Sequence, residues 1–239
     1  AIDKDGSLPE AHLLVARWNR LSGFKEDEQL AMEHAARFFA EDDAKAGLST
    51  KRNKRYIESL IRLGGLRRAK GNSLDAEDAL NTSIERYERA LAGRQLRRTP
   101  VFGKAYADLA DIYYAERMDF SGALALYSEA ERNGYVTPET DYRRGYIHYV
   151  QPADDGSSAL GFFYRAALDS DPSPYLQWAT ANALFARSDY FAAQGYFSTL
   201  AKRLQFELDT IALPSPQTKP SHAELVELLM MTRDRKSVV

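Results

Sequence analysis

Four histidines, His12, His34, His148 and His222, are the imidazoles this sequence offers for metal ligation or proton transfer. No two of them stand at helix i, i+4 spacing, and none carries the carboxylate of a His-Glu-x-x-His zinc site, so packed or solvated histidine is the simpler reading. Asp3, Asp5 and Gly6 resemble the start of a calcium loop. Its first position would be Ala1 and its closing glutamate falls on His12, so two ligands are missing. Gly64-Gly65 is followed by Leu66-Arg67-Arg68 and not by Gly-Lys-Ser/Thr, which excludes a phosphate-cradling loop. No Gly-x-Ser-x-Gly elbow occurs, and the absence of cysteine removes thiol nucleophiles, disulfides and thiolate zinc sites. Asn81-Thr82-Ser83 matches a glycosylation sequon, but Ser83 falls at an expected helix crossing and the match is read as chance. The remaining carboxylates scatter along helix exteriors, where charge is a solvated face. No catalytic residue, metal site or cofactor is expected, and the chain is read as a binder.

The bulk numbers narrow what it binds. The 239 residues are 44% hydrophobic and 28% charged, with 32 basic against 34 acidic side chains, so the global electrostatic footprint of a nucleic-acid protein is absent. No apolar run approaches the roughly 20 residues of a membrane helix. The lack of cysteine fits an extracytoplasmic protein. The sequence opens at Ala1 without an apolar signal core, the pattern of a processed or excised piece. Local basic clusters occur at Lys51-Arg52, Lys54-Arg55, Arg67-Arg68-Lys70, Arg94 and Arg97-Arg98. If those helix ends converge they make a positive patch for an acidic partner or a phospholipid head group; otherwise they are solvated ends that favour the helix dipole.

Nearly the whole chain follows a helical period, and no segment alternates as a strand does. Helices are expected near 11–21 and 26–44, then at 52–70, 73–92, 101–117, 119–132, 138–150, 156–169, 173–187 and 189–207. The first would present Leu13, Leu14, Ala16, Trp18 and Leu21, the second Leu30, Ala31, His34, Ala35, Phe38 and Phe39. Connections are short and carry Gly, Asp, Asn or Ser. Residues 208–221, with Pro214, Pro216 and Pro220, cannot continue a helix. Ser221 then caps a new helix from Ala223 to about Thr232, striped by Leu225, Leu228 and Leu229.

Self-similarity decides the fold class. Second helices show a small residue, an aromatic four positions on, and a small or apolar residue three further: Ser83–Tyr87–Ala90, Ala123–Tyr127–Ala130, Ala159–Phe163–Ala166 and Ala193–Phe197–Leu200. First helices answer with Leu63–Gly64, Tyr106–Leu109–Ala110–Tyr113, Gly145 with Tyr149, and Ala181 with Phe185. The triads recur near the ~34-residue interval of a helix-turn-helix repeat, the one before Tyr106 being longer. The turns Asp119-Phe120 and Asp189-Tyr190 and the nearby Pro172 complete a pattern that resembles the tetratricopeptide repeat. That resemblance implies an all-α, right-handed superhelical solenoid of antiparallel helix pairs. Residues 1–50 would form a capping or degenerate pair, 51–207 four repeats, and 208–239 a proline-containing insertion with the first helix of a truncated further repeat. A capping pair turns a polar face outward, since it has no neighbour to cover it.

In the repeat frame, the first-helix residues facing a concave groove are Asp111, Tyr114, Tyr142, Tyr146, Tyr149, Tyr175, Trp178, Asn182 and Phe185. The tyrosines of 141–149 occupy two adjacent helical faces that cannot both be core, so some of them face the groove, where an amphipathic aromatic suits a protein contact. The alternative is that these aromatics fill bulky repeat cores. The basic residues of a peptide-carboxylate clamp are missing from the frame. Two stretches, 181–196 and 221–230, are similar to membrane-anchored periplasmic flagellar collar proteins of spirochaetes. The resemblance implies a periplasmic scaffold in the collar around the flagellar motor, needed for motor assembly and motility and contacting other collar or motor subunits, its full-length form membrane-anchored. The other reading is a peptide- or ligand-binding adaptor or regulator of the cell envelope, or a cytoplasmic relative.

Overall fold

The computed structural model describes residues 8–151, 157–168, 172–210 and 226–232. Among them the regular structure is helical and no strand occurs. The chain divides into two compact units, Ala1–Val136 and Thr137–Val239. The first contains α1 (Pro9–Leu21), α2 (Lys25–Ala46), α3 (Thr50–Ala69), α4 (Ser73–Ala92), α5 (Pro100–Ala115) and α6 (Phe120–Arg132). The second contains α7 (Pro138–Val150), α8 (Ser157–Ala166), α9 (Pro174–Ala186) and α10 (Tyr190–Thr210), with a further helical run at 226–232. The calcium-loop-like Asp3, Asp5 and Gly6, the prolines Pro214, Pro216 and Pro220, and Ser221, His222 and Leu225 lie outside the described residues. Among the described residues, no helix is long and apolar enough to cross a membrane.

Local sequence explains where the helices start and stop. Pro9, Pro100, Pro138 and Pro174 each open a helix, where the missing N–H would have had no partner. Thr137 forms a capping box with Thr140, and the Ser173 and Asp119 side chains accept from Leu176 N and Gly122 N. The two Asp-aromatic turns share a device: Met118 and Ser188 take left-handed backbone at φ 53° and 64°, immediately before Asp119 and Asp189. The Asp119 N–H then returns to the Tyr113 carbonyl, and that of Asp189 to Leu184.

Packing is sequential within each unit. Each helix of unit 1 packs on its neighbours in the chain, and α3 also touches α5; in unit 2, α7 likewise reaches α9 past α8. Every member of the four triads is buried, none more than 3% exposed. Tyr87 stacks on Phe102 at 4.4 Å, and Phe163 lies under Tyr142 at 6.0 Å. Glycine sits where a ring or branched chain presses closest. A Cβ on Gly64 would lie 2.7 Å from Leu80 Cγ, and one on Gly145 only 2.6 Å from the Phe163 ring.

The apolar face expected for α1 is split. Ala16 is buried in the α1–α2–α3 cluster and Leu13 packs partly on it, whereas Leu14, Trp18 and Leu21 are exposed. The cause is angular: Leu14, Trp18 and Leu21 share one side of α1, with Ala16 and Asn19 opposite. On α2, Ala31, Ala35 and Phe39 are buried as expected, and Leu30 points outward.

The basic clusters divide: Lys51, Arg94, Arg97 and Arg98 are exposed, whereas most of the others pair with carboxylates of other helices. Arg52 of α3 bonds Glu10 of α1 and Asp42 of α2, and Arg55 also reaches Glu10. Arg67 pairs with Glu33, Lys70 with Glu26, and Arg68 with Asp108 and Asp111 of α5. Arg86 of α4 pairs with Asp43 of α2 and lies over the Tyr56 ring at 4.5 Å. The Arg86 guanidinium, bonded to the Asp43 carboxyl, holds it below the usual aspartate range. The most enclosed of these carboxylates is Glu28, 1% exposed and gripped by Arg62 through two 2.7 Å bonds.

Two stability tests follow from this packing. Gly145→Ala should cost about 1–3 kcal/mol as Phe163 is displaced, while Gly161→Ala, with open space around its Cβ, should stabilise by up to ~1 kcal/mol; urea unfolding followed by circular dichroism compares them. Arg62→Met leaves Glu28 charged and buried, and should cost about 3 kcal/mol, most of it recovered in the double variant Glu28→Leu with Arg62→Met. The same urea midpoints measure it.

Candidate functional site: two recesses beside helix α9

Helix α9 is apolar around most of its circumference because it is packed from several sides, touching α7, α8 and α10. Leu176, Ala179, Thr180 and Asn182 are buried, and the Thr180 hydroxyl donates to the Leu176 carbonyl at 2.7 Å. A recess lies on either side of the N-terminal half of α9.

The first recess, about 470 Å³, lies between α7 and α9, walled by Pro138, Glu139, Tyr142, Pro172 and Tyr175. The second, about 610 Å³, lies between α9 and α10, walled by Gln177, Thr180, Phe191, Tyr196 and Thr199. Pro172 and Leu176 border both. Phe191 is 89% exposed at the rim of the second. Polar groups are few but pointed. The Pro172 carbonyl accepts from Gln177 Nε2 at 3.3 Å and from Arg203 Nη1 at 2.7 Å. Gln177 Oε1 is buried and has no hydrogen-bond partner. The carboxylate at the first recess, Glu139, is paired with Arg143. Such walls suit apolar and aromatic side chains of a ligand held by a small number of hydrogen bonds.

The residues expected to line a groove are distributed unevenly. Tyr142 and Tyr175 meet in the first recess. Tyr146 sits beside Tyr142, ring centroids 6.5 Å apart. Tyr149 and Phe185 pack partly on the α8–α9 core, and Phe185 meets the Tyr190 ring edge-on at 5.3 Å. Trp178 lies against that core and also against Leu200 and Leu204 of α10, its indole Nε1 buried without a hydrogen-bond partner. Asn182 is buried, its amide donating to the Trp178 carbonyl at 2.8 Å. Asp111 and Tyr114 belong to unit 1. Asp111 is buried and accepts from Tyr127 and Arg68, and Tyr114 lies 5.8 Å from Phe120. Asp111, Asn182 and Trp178 thus serve internal packing, because the first-helix face assigned to a groove also carries the contacts between successive helices.

Phe191, Tyr196 and Gln177 were not singled out from the sequence. A signal existed: Asp189-Tyr190-Phe191-Ala192-Ala193 aligns with Asp119-Phe120-Ser121-Gly122-Ala123, so Phe191 stands where the other turn has serine. Of the histidines, His12 and His34 come together at 5.2 Å and both flank Phe38, while His148 stacks on Phe162. Among the described residues no group of three or more His, Asp or Glu is placed to hold a metal ion. No family model matches the chain, and no curated protein matches it.

The recess on the α10 side predicts an aromatic contact. Phe191→Ala, at a solvent-facing position, should leave the melting curve nearly unchanged, within about 0.5 kcal/mol, and lower the emission of an apolar fluorescent probe such as anilinonaphthalene sulfonate, read by titration against the parent chain.

Proposed function

We propose that this chain is a non-catalytic protein-interaction scaffold of the tetratricopeptide type, its helix pairs coiling as a right-handed solenoid. The observation that carries the reading is the pair of recesses sharing Pro172 and Leu176 and rimmed by exposed Tyr175 and Phe191. Two apolar cavities on either side of one helix can receive two side chains of a single segment. The buried triads and the paired Met118 and Ser188 turns support the repeat assignment. The collar reading, a periplasmic component around the flagellar motor needed for its assembly and for motility, is supported by the resemblance of residues 181–196 and 221–230. Its partners would be other collar or motor subunits. The same two recesses would serve a second reading, an envelope adaptor that takes a free peptide.

The test is capture of partner proteins by the immobilised chain, with Tyr175→Ala and Phe191→Ala combined in one variant. Both side chains are exposed, so helical circular dichroism should persist while capture falls by tenfold or more, about 1.4 kcal/mol or greater. Undiminished capture would sink the α9 assignment.

A further inference from the structure

Helix α1 turns an apolar stripe away from its own core. Leu14, Trp18 and Leu21 lie at i, i+4 and i+7, opposite Ala16 and Asn19, and Trp18 and Leu21 are 61% and 77% exposed. Phe24, just beyond the helix, extends the stripe, its ring 6.0 Å from that of Trp18. Isolated apolar residues on a surface are ordinary, but a contiguous set of large ones marks an interaction face.

The charges around this stripe are sorted by side. At roughly 100° per residue, Val15 and Arg17 fall on opposite flanks of it. Arg17 and Arg20, both exposed, border one flank. On the Val15 flank, Asp27 of α2 lines a recess of about 320 Å³ with Val15, Asn19 and Leu30. Arg17, Arg20 and Asp27 make no ion pair among the described residues. The face therefore has an apolar middle, two arginines on one edge and the Asp27 carboxylate on the other, where His12 and His34 also line the recess.

We propose that this face receives a second copy of the chain, the two α1 helices lying side by side in parallel about a two-fold axis that runs along them. A two-fold axis lying across the helices would make them antiparallel and set the arginine edge against its own copy. The axis along the helices exchanges the edges, so that Arg17 and Arg20 of each copy meet the other's Asp27 while the Trp18–Leu21 stripes close on each other. A self-complementary surface is what an isologous dimer requires, and a face bearing both signs on opposite edges supplies it. This surface is separate from the α9 recesses and does not rest on them.

Sedimentation equilibrium of the whole chain, at concentrations up to roughly 100 μM, should give twice the monomer mass. Trp18→Glu should raise the dimer dissociation constant about 30-fold or more with unchanged circular dichroism. Arg17→Glu with Arg20→Glu should weaken association, and adding Asp27→Arg should restore it. A monomer throughout, or a dimer indifferent to Trp18→Glu, overturns the proposal. A charge reversal that Asp27→Arg does not restore overturns the parallel arrangement on which it is built.

Discussion

An aromatic ring seated against a residue too small to obstruct it is the contact on which these helix pairs depend. Phe163 has such a seat on Gly145, and Tyr87, Tyr127 and Phe197 are as fully enclosed. A ring of that size removes a large apolar area from water only if the facing backbone comes close. Gly145 and the small residues of the triads permit that approach, and the rest of each pair follows. Once two helices are held at that separation, each has committed one face to its partner, and its remaining apolar surface must be covered by the next pair.

The same constraint accounts for exposed apolar surface that is gathered rather than scattered. Helix α9 is covered on most sides, and a recess is left on either side of its N-terminal half. Pro138 and Pro174 start helices there, and Pro172 lies just before α9 with its carbonyl turned inward to Gln177 and Arg203. Proline brings a stiff apolar surface without an N–H to satisfy, so Pro138 and Pro172 make dry walls. Around α1 the cause differs. Ala16 and Asn19 are enough to seat α1 on α2, so the bulkier residues of the helix are left on its far side.

Much of the architecture was legible in the sequence, because the features that set it are local and periodic. The helix limits follow from proline, glycine and aspartate at the turns. The triads were identifiable because a small-aromatic-small spacing, repeated at a near-constant interval, is the mark of a close helix crossing. What could not be read was orientation and pairing across helices. The stripe of α1 looked like an inward face since Leu14 and Trp18 are apolar, yet angle and not residue type decided it. Asp111 and Asn182 looked like groove residues because position in the repeat says nothing about which carboxylate an arginine forty residues away will take. Arg52, Arg67 and Arg68 looked free because Glu10, Asp42, Glu33 and Asp108 lie on other helices. The recess beside α10 depended on Gln177 and Phe191, residues that carry no motif. Nothing at Val136-Thr137 distinguishes the boundary between the two units from any other turn.

A stack of similar hairpins has a phase problem: one pair could slide along the next by a helical turn and still bury comparable area. In unit 1 a chain of polar atoms removes that freedom. The Tyr127 hydroxyl of α6 donates to Asp111 of α5 at 2.7 Å, and Arg68 of α3 bonds the same carboxylate. Tyr87 of α4 likewise donates to Asn133, at the end of α6. Hydrogen bonds tolerate displacement far less than apolar contact does, so these residues act as an index mark, accepting one alignment of the hairpins and rejecting its neighbours. At the equivalent crossings of unit 2, Phe163 and Phe197 bring no hydroxyl. There the mark lies off the rings: Arg165 of α8 bonds both oxygens of Asp141 of α7, so a charged pair instead of a hydroxyl indexes that hairpin.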